Sequence, residues 1–230
     1  MNEMVQSSVT FGVVISILFY FIGVRIKKRF GWGICNPLLI AIILVMLSLR
    51  CFHIEYESYY SSARYLSYLL TPATVSLAIP LYLQIDKLKK HYLAILASVL
   101  AGTLMSAVCI LLLSMLFSLS HQEYVTLLPK SITSAIGMGV SEELGGYVTI
   151  TTAVIIVTGI LGNIIAVPLC RLLSITDPVA KGLAIGTSSH AIGTTKAMEI
   201  GETEGAMSSL AIVVCGLMTV ICASVFASFY

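Results

Sequence analysis

Residues 131–145 read SITSAIGMGVSEELG and residues 187–201 read TSSHAIGTTKAMEIG. The first contains Ala135-Ile136-Gly137 and then, after five residues, Glu143-Leu144-Gly145. The second contains Ala191-Ile192-Gly193 and, at the same interval, Glu199-Ile200-Gly201, with Ser131 aligned to Thr187. The offset is 56 residues throughout. Each motif runs into a long apolar segment, Leu144–Cys170 or Gly205–Tyr230. This is the pattern of a duplication, with copies over 121–175 and 176–230. If one full crossing separates the two motifs, they enter a bilayer from opposite faces. Broken helices then meet near the midplane, as in the inverted repeats of secondary transporters.

The surrounding composition places the motifs in lipid. Of 230 residues, 58% are hydrophobic and 10% charged, against roughly 25% charged in an ordinary soluble domain. Six stretches lack Asp, Glu, Lys and Arg: Met4–Val24, Phe30–Leu49, Tyr65–Ile85, Tyr92–Ser120, Leu144–Cys170 and Gly205–Tyr230. Each reaches the ~20 residues that a helix needs to cross about 30 Å of hydrocarbon. Barrel-like alternation is absent, so the spans are helices. The expected fold is therefore all-α: about six full spans plus two re-entrant or broken helices in an inverted-repeat arrangement.

Loop charges orient the spans. Arg25, Lys27, Lys28, Arg29, Lys87, Lys89, Lys90, Arg171 and Lys181 fall on one side, and Arg50, Arg64 and Lys130 on the other. Placing the nine inside follows the positive-inside bias. It also favours treating the short runs Ser131–Ser141 and Gly182–Thr195 as partial crossings. The N-terminus carries neither the basic flank nor the cleavage site of a removable signal, and no transit peptide is expected. A multi-pass protein of a bacterial inner membrane is expected. The charge of +2 gives no reason to expect a nucleic-acid partner.

Candidate binding residues concentrate at the motif tips. Lys130, Ser131, Thr133 and Ser134 open the first, and Ser188, Ser189, His190 and Thr194 belong to the second. Hydroxyls at a half-helix N-terminus, whose free N–H groups carry roughly +0.5 charge, suit an anion. With Lys130 they suit a small carboxylate. Lys130 also fits a snorkelling interfacial residue, and His190 a packing histidine. The third stretch, 65–85, holds Thr71-Pro72-Ala73-Thr74 and Ile79-Pro80. Its prolines kink a helix, and Thr71 and Thr74 are candidates for the same site, an ordinary proline kink being the alternative. His190, with a pKa near physiological pH, and the matched Glu143 and Glu199 are candidates for proton coupling. Catalysis is not expected: Ser189 and His190 are adjacent and point about 100° apart on a helix. The six cysteines form no CxxC pair, so neither metal nor cofactor is expected.

Several strings resemble the CidB/LrgB family. They are Leu70-Thr71-Pro72-Ala73-Thr74, Leu77-Ala78-Ile79-Pro80-Leu81-Tyr82 and Leu128-Pro129-Lys130-Ser131-Ile132-Thr133 upstream. Gly145-Gly146, Thr158-Gly159-Ile160-Leu161-Gly162, Asp177-Pro178, Gly186–Thr194 and Glu204–Leu210 continue the match over nearly the whole chain. The resemblance implies one membrane domain over 1–230: N-terminal spans 1–120, then the two repeats. It implies a bacterial plasma-membrane protein working with a smaller LrgA/CidA-like membrane protein, and a homo-oligomer is expected. Members are described as holin/antiholin-like regulators of murein hydrolases and cell lysis. Others carry small monocarboxylates: pyruvate in bacteria, and glycolate and glycerate in the plastidal glycolate/glycerate translocator, where two halves are fused. This chain holds only the LrgB-like half. Ala135 stands where the family usually has proline, and Asn163 and Ala166-Val167-Pro168 replace more usual Gly-Ala and Gly-Pro pairs. Monocarboxylate transport is the leading expectation, with the holin/antiholin-like role as its alternative.

Overall fold

A computed structural model describes residues 8, 10–30, 35–69, 72, 75–76, 78–83 and 85–230. The described residues are helical and contain no strand. The chain divides into two compact units, residues 1–76 and 77–230. The boundary falls inside the third apolar stretch.

In the first unit, α1 (Phe11–Phe30) packs on α2 (Pro37–Cys51) and α3 (Tyr56–Ala63), and a 3₁₀ turn follows over Arg64–Leu69. Lys27, Lys28 and Arg29 occupy the last turn of α1, where cations meet the negative end of the helix dipole. The uncharged run Met4–Val24 therefore misjudges this helix, which continues through its basic end. Asn36 starts α2, its Oδ1 accepting from the N–H of Leu38 (2.9 Å) and Leu39 (3.3 Å) with Pro37 at the first turn. This satisfies donors that a helix start otherwise leaves open. Ser62 Oγ accepts from Gly12 N–H at 2.8 Å, tying α1 to α3.

The second unit carries the repeat. It contains α4 (Ala78–Leu83), α5 (Ile85–Leu116), α6 (His121–Leu127), α7 (Ser134–Glu143), α8 (Val148–Leu172), α9 (Pro178–Ile200) and α10 (Glu202–Ala227). Among the described residues, three segments are long and apolar enough to cross a bilayer: Tyr92–Leu116, Val148–Leu172 and Glu202–Ala227. At 1.5 Å per residue each 25- or 26-residue helix exceeds about 30 Å of hydrocarbon. On α5 the buried residues Ile95, Val99, Thr103, Ala107, Ile110 and Ser114 recur every three or four positions. Leu93, Leu104, Leu112 and Leu116 cover exposed faces of the same helix. An apolar exterior around a core stripe this rich in small and hydroxyl residues is what lipid as solvent selects. The chain is a membrane protein.

Helices α9 and α10 form the closest pair. A Cβ on Gly182 would lie 2.5 Å from Glu204 O, and one on Gly186 would meet Ser208 O and, at 2.8 Å, Ala211 Cβ. Two glycines four residues apart thus let the backbones touch, the small-xxx-small mode of helix packing in lipid. The stretches Ser131–Ser141 and Gly182–Thr195 take different forms. The first yields the 10-residue α7; the second lies inside the 23-residue α9, which is broken at His190.

Candidate functional site

Both copies contain a helix, a break, a second helix, a turn and a long helix. In the first, α6 stops at Leu127 because Pro129 has no N–H to continue the ladder. The chain turns through Lys130 N–H to Leu127 O (3.1 Å) and Ile132 N–H to Pro129 O (3.4 Å). Thr133, extended at φ −67° and ψ 148°, then starts α7. In the second, Asp177 caps α9 by accepting from Ala180 N–H at 2.8 Å, and the helix runs unbroken to Ser189. His190, at φ 42° and ψ −143°, breaks it, and helix resumes to Ile200. With the 56-residue offset, α7 overlays the part of α9 beyond the break, and α8 overlays α10.

A cavity of about 510 Å³ opens beside both breaks. Lys130 and Ser131 line it from the first copy, and Thr187 and Ser188 from the second. Ser131 and Thr187 are the aligned pair of the repeat, so equivalent residues face one space. Helix α5 contributes Ser98, Gly102 and Ser106, and Met105 and Leu183 make apolar wall. Lys130 Nζ donates to Ser131 Oγ at 2.9 Å, and Ser131 Oγ lies 3.4 Å from Ser106 Oγ. Among the described residues Lys130 has no carboxylate partner. An ammonium bonded to one hydroxyl in a mostly apolar cavity leaves its charge to be balanced by a ligand; unpaired intramembrane charge is costly. The cleft volume falls in the range of about 300–1,000 Å³ typical of small-molecule sites.

The remaining candidates sit elsewhere. His190 is 3% exposed and points away from the cavity lining; its Nε2–H donates to Ile155 O at 2.9 Å. Its ring packs so closely on α8 that a Cβ on Gly159 would lie 2.7 Å from Cε1. Ser189 is buried against Gly162, and its Oγ lies 3.0 Å from Ser188 Oγ. Thr194 Oγ1 donates to His190 O (2.9 Å) and lies 2.7 Å from Ser208 Oγ, joining α9 to α10. Thr133 and Ser134 begin α7 without lining the cavity. Glu143 is exposed at the end of α7, and Glu199 is exposed and ion-paired to Lys196 at 2.7 Å. Thr71 and Thr74 lie outside the described residues. The α5 residues went unselected in the sequence, although Ser98, Gly102 and Ser106 recur every four positions and so mark one helical face. Thr187 was visible as the partner of Ser131. Asn163 Nδ2 donates to Ile192 O (2.9 Å) and Thr195 Oγ1 (3.2 Å), fixing the start of the resumed helix to α8.

Comparison with known proteins agrees with the sequence resemblance. The family model for the LrgB-like family matches residues 16–229. Antiholin-like protein LrgB of Bacillus mycoides (strain KBAB4) is 34% identical over 220 residues, covering 95% of this chain and 96% of its own length. The proteins of the same name from Bacillus cereus (strain B4264) and Bacillus anthracis (strain CDC 684 / NRRL 3495) match to the same extent. No solved structure gives a significant match. With nearly its whole length matched by both the family model and these relatives, the chain belongs to the LrgB-like family.

Proposed function

We propose that this chain is an antiholin-like protein of a bacterial inner membrane whose molecular activity is the passage of a small monocarboxylate anion. The antiholin-like half rests on the names of relatives that match 95% of the chain. Those names favour an antiholin-like role over carrier function as the physiological description. The transport half rests on one observation: Lys130-Ser131 and Thr187-Ser188, equivalent segments of a duplicated unit, line one cavity.

In this site Lys130 attracts the carboxylate, and the hydroxyls of Ser131, Ser106 and Thr187 replace part of its hydration. The 2-oxo or 2-hydroxy oxygen of a pyruvate-, lactate- or glycolate-like acid finds a second hydroxyl nearby. Helix α8, long enough to cross, lies between the two breaks, and on this reading the two motifs enter the bilayer from opposite faces. Rocking one broken helix against the other would then expose the site alternately to each side. His190, Glu143 and Glu199 fall outside the cavity lining, so proton coupling would have to reach the anion indirectly. An LrgA/CidA-like partner and a homo-oligomer complete the proposal.

Reconstitution into liposomes decides between the activities. The carrier reading expects saturable uptake of labelled pyruvate, lactate or glycolate that Lys130→Ala reduces at least tenfold and Lys130→Arg partly retains. Absence of saturable uptake, with and without the partner, overturns it. Dye release that rises with protein density and shows no substrate preference supports a purely pore-linked antiholin-like role.

A further inference from the structure

On another side of α9 lies a second cavity, of about 560 Å³, lined by Arg171, Ser174, Thr176 and Lys181. Arg171 belongs to the last turn of α8, and Lys181 to the first turns of α9. Neither has a carboxylate partner among the described residues. The nearest acid in sequence, Asp177, accepts from Ala180 N–H in its capping role. Two cations brought to one hollow by separate helices repel each other unless an anion lies between them.

The position of the hollow narrows the choice of anion. Arg171 lies in the last turn of a helix longer than the hydrocarbon is thick, which puts the hollow at headgroup level. Part of the wall beside the cations is apolar: Val167, Ile175 and Ile200 line the same cavity. A soluble anion would satisfy the charges and leave those walls wet. A phospholipid satisfies both, its phosphate bridging guanidinium and ammonium while an acyl chain covers the apolar surface. Arginine suits this because its fork binds phosphate oxygens two at a time. Basic hollows between membrane helices on the positive-inside face hold anionic headgroups for the same reason.

We propose that the hollow between the end of α8 and the start of α9 binds the headgroup of an anionic phospholipid. The lipid wedges the last helix of the first motif region against the first helix of the second and sets the resting position of α9. Neither cation lines the transport cavity, so the proposal stands or falls independently of carboxylate uptake.

The purified full chain in neutral detergent is titrated with dioleoylphosphatidylglycerol or dioleoylphosphatidylcholine, and retained lipid is counted by native mass spectrometry. The expected result is at least tenfold preference for the phosphatidylglycerol. The Arg171→Ala/Lys181→Ala variant should fall to the phosphatidylcholine level, and the charge-keeping Arg171→Lys/Lys181→Arg variant should keep most of the preference. Equal retention of both lipids by the unaltered chain overturns the proposal, as does full retention by the neutralised variant. Complete displacement by millimolar inorganic phosphate also overturns it, identifying a site for a soluble anion. If the neutralised variant does not fold, the lipid preference and the phosphate competition of the unaltered chain decide the question.

Discussion

Replacing His190 with glycine and with alanine should invert their usual order of stability. His190 adopts φ 42° and ψ −143°, a region that side chains with a Cβ rarely enter and that costs about 1–3 kcal/mol. Both substitutions remove the same imidazole, its hydrogen bond to Ile155 O and its packing on Gly159. Their difference therefore isolates the backbone. In an ordinary helix glycine is the less stable of the two by roughly 0.5–1 kcal/mol, through its greater freedom when unfolded. Subtracting that from the relieved strain leaves glycine ahead by about 0–2.5 kcal/mol, roughly 1 kcal/mol at mid-range. For a chain of this size 1 kcal/mol corresponds to roughly 2–4 °C, so the gap should be a few degrees. The alanine variant, which keeps the strain and loses the hydrogen bond to Ile155 O, should melt below the unaltered protein, the bond alone accounting for about 0.5–1.5 kcal/mol. Thermal unfolding in detergent, followed by circular dichroism, measures the order. An alanine variant that melts above the glycine variant would refute the claim that the break is held against backbone preference.

Other perturbations probe the same frame. Gly186→Val puts a side chain where Ser208 O and Ala211 Cβ already lie; it should destabilise by about 1–3 kcal/mol, whereas Gly139→Ala, which meets nothing within 4 Å, should leave the melting temperature within about 1 °C or raise it. Ser106→Leu projects into the cavity lined by Lys130 and Thr187 and, on the proposed carrier reading, should abolish carboxylate uptake while retaining helical content; uptake at the normal rate would show that the anion does not pass there. The Ser120 N–H and hydroxyl bonds to Glu123 hold that carboxyl below its ordinary pKa. Being lower in the folded chain, it stabilises above the ordinary carboxylate range, and that contribution fades as pH falls through the lowered value. The melting difference between the unaltered chain and Glu123→Gln should therefore shrink from pH 7 to pH 3, and a constant difference contradicts the assignment.

The parts of this fold legible in the sequence are those that lipid constrains most. Hydrocarbon thickness fixes a minimum length and forbids stray charge, so Tyr92–Leu116, Val148–Leu172 and Glu202–Ala227 stand out directly. Their ends are less legible: charged residues do not stop a helix, and α1 carries Lys27, Lys28 and Arg29 within its last turn. The pairing of Ser131 with Thr187 could be read from the 56-residue offset of the two motifs, and both residues line one cavity. The direction of His190 could not. Which way a side chain leaves a helix break depends on the φ and ψ of that one residue, and no spacing rule encodes them. The contribution of α5 was hidden differently, since Ser98, Gly102 and Ser106 resemble the small residues that membrane helices use merely to pack.

The two copies break their helices by different means, and the difference explains the asymmetry of the site. Pro129 ends α6 early; its counterpart 56 residues on, Ile185, has an N–H, so α9 continues to Ser189. The early stop releases Lys130 into a turn at the cavity edge. The position equivalent to Lys130 is Gly186, still helical, packed against α10 where no side chain fits. One copy therefore supplies a cation and the other a rigid seam, while the neighbouring pair, Ser131 and Thr187, keeps the same role in both. A cation from each copy would have placed two ammonium groups against one small anion and held it too tightly to release. A single cation opposite hydroxyls gives attraction without a trap. Moving charge to the seam, as in Gly186→Lys, should separate α9 from α10 before it improves anion binding; an intact fold with tighter binding would show that the seam is not what excludes the second cation.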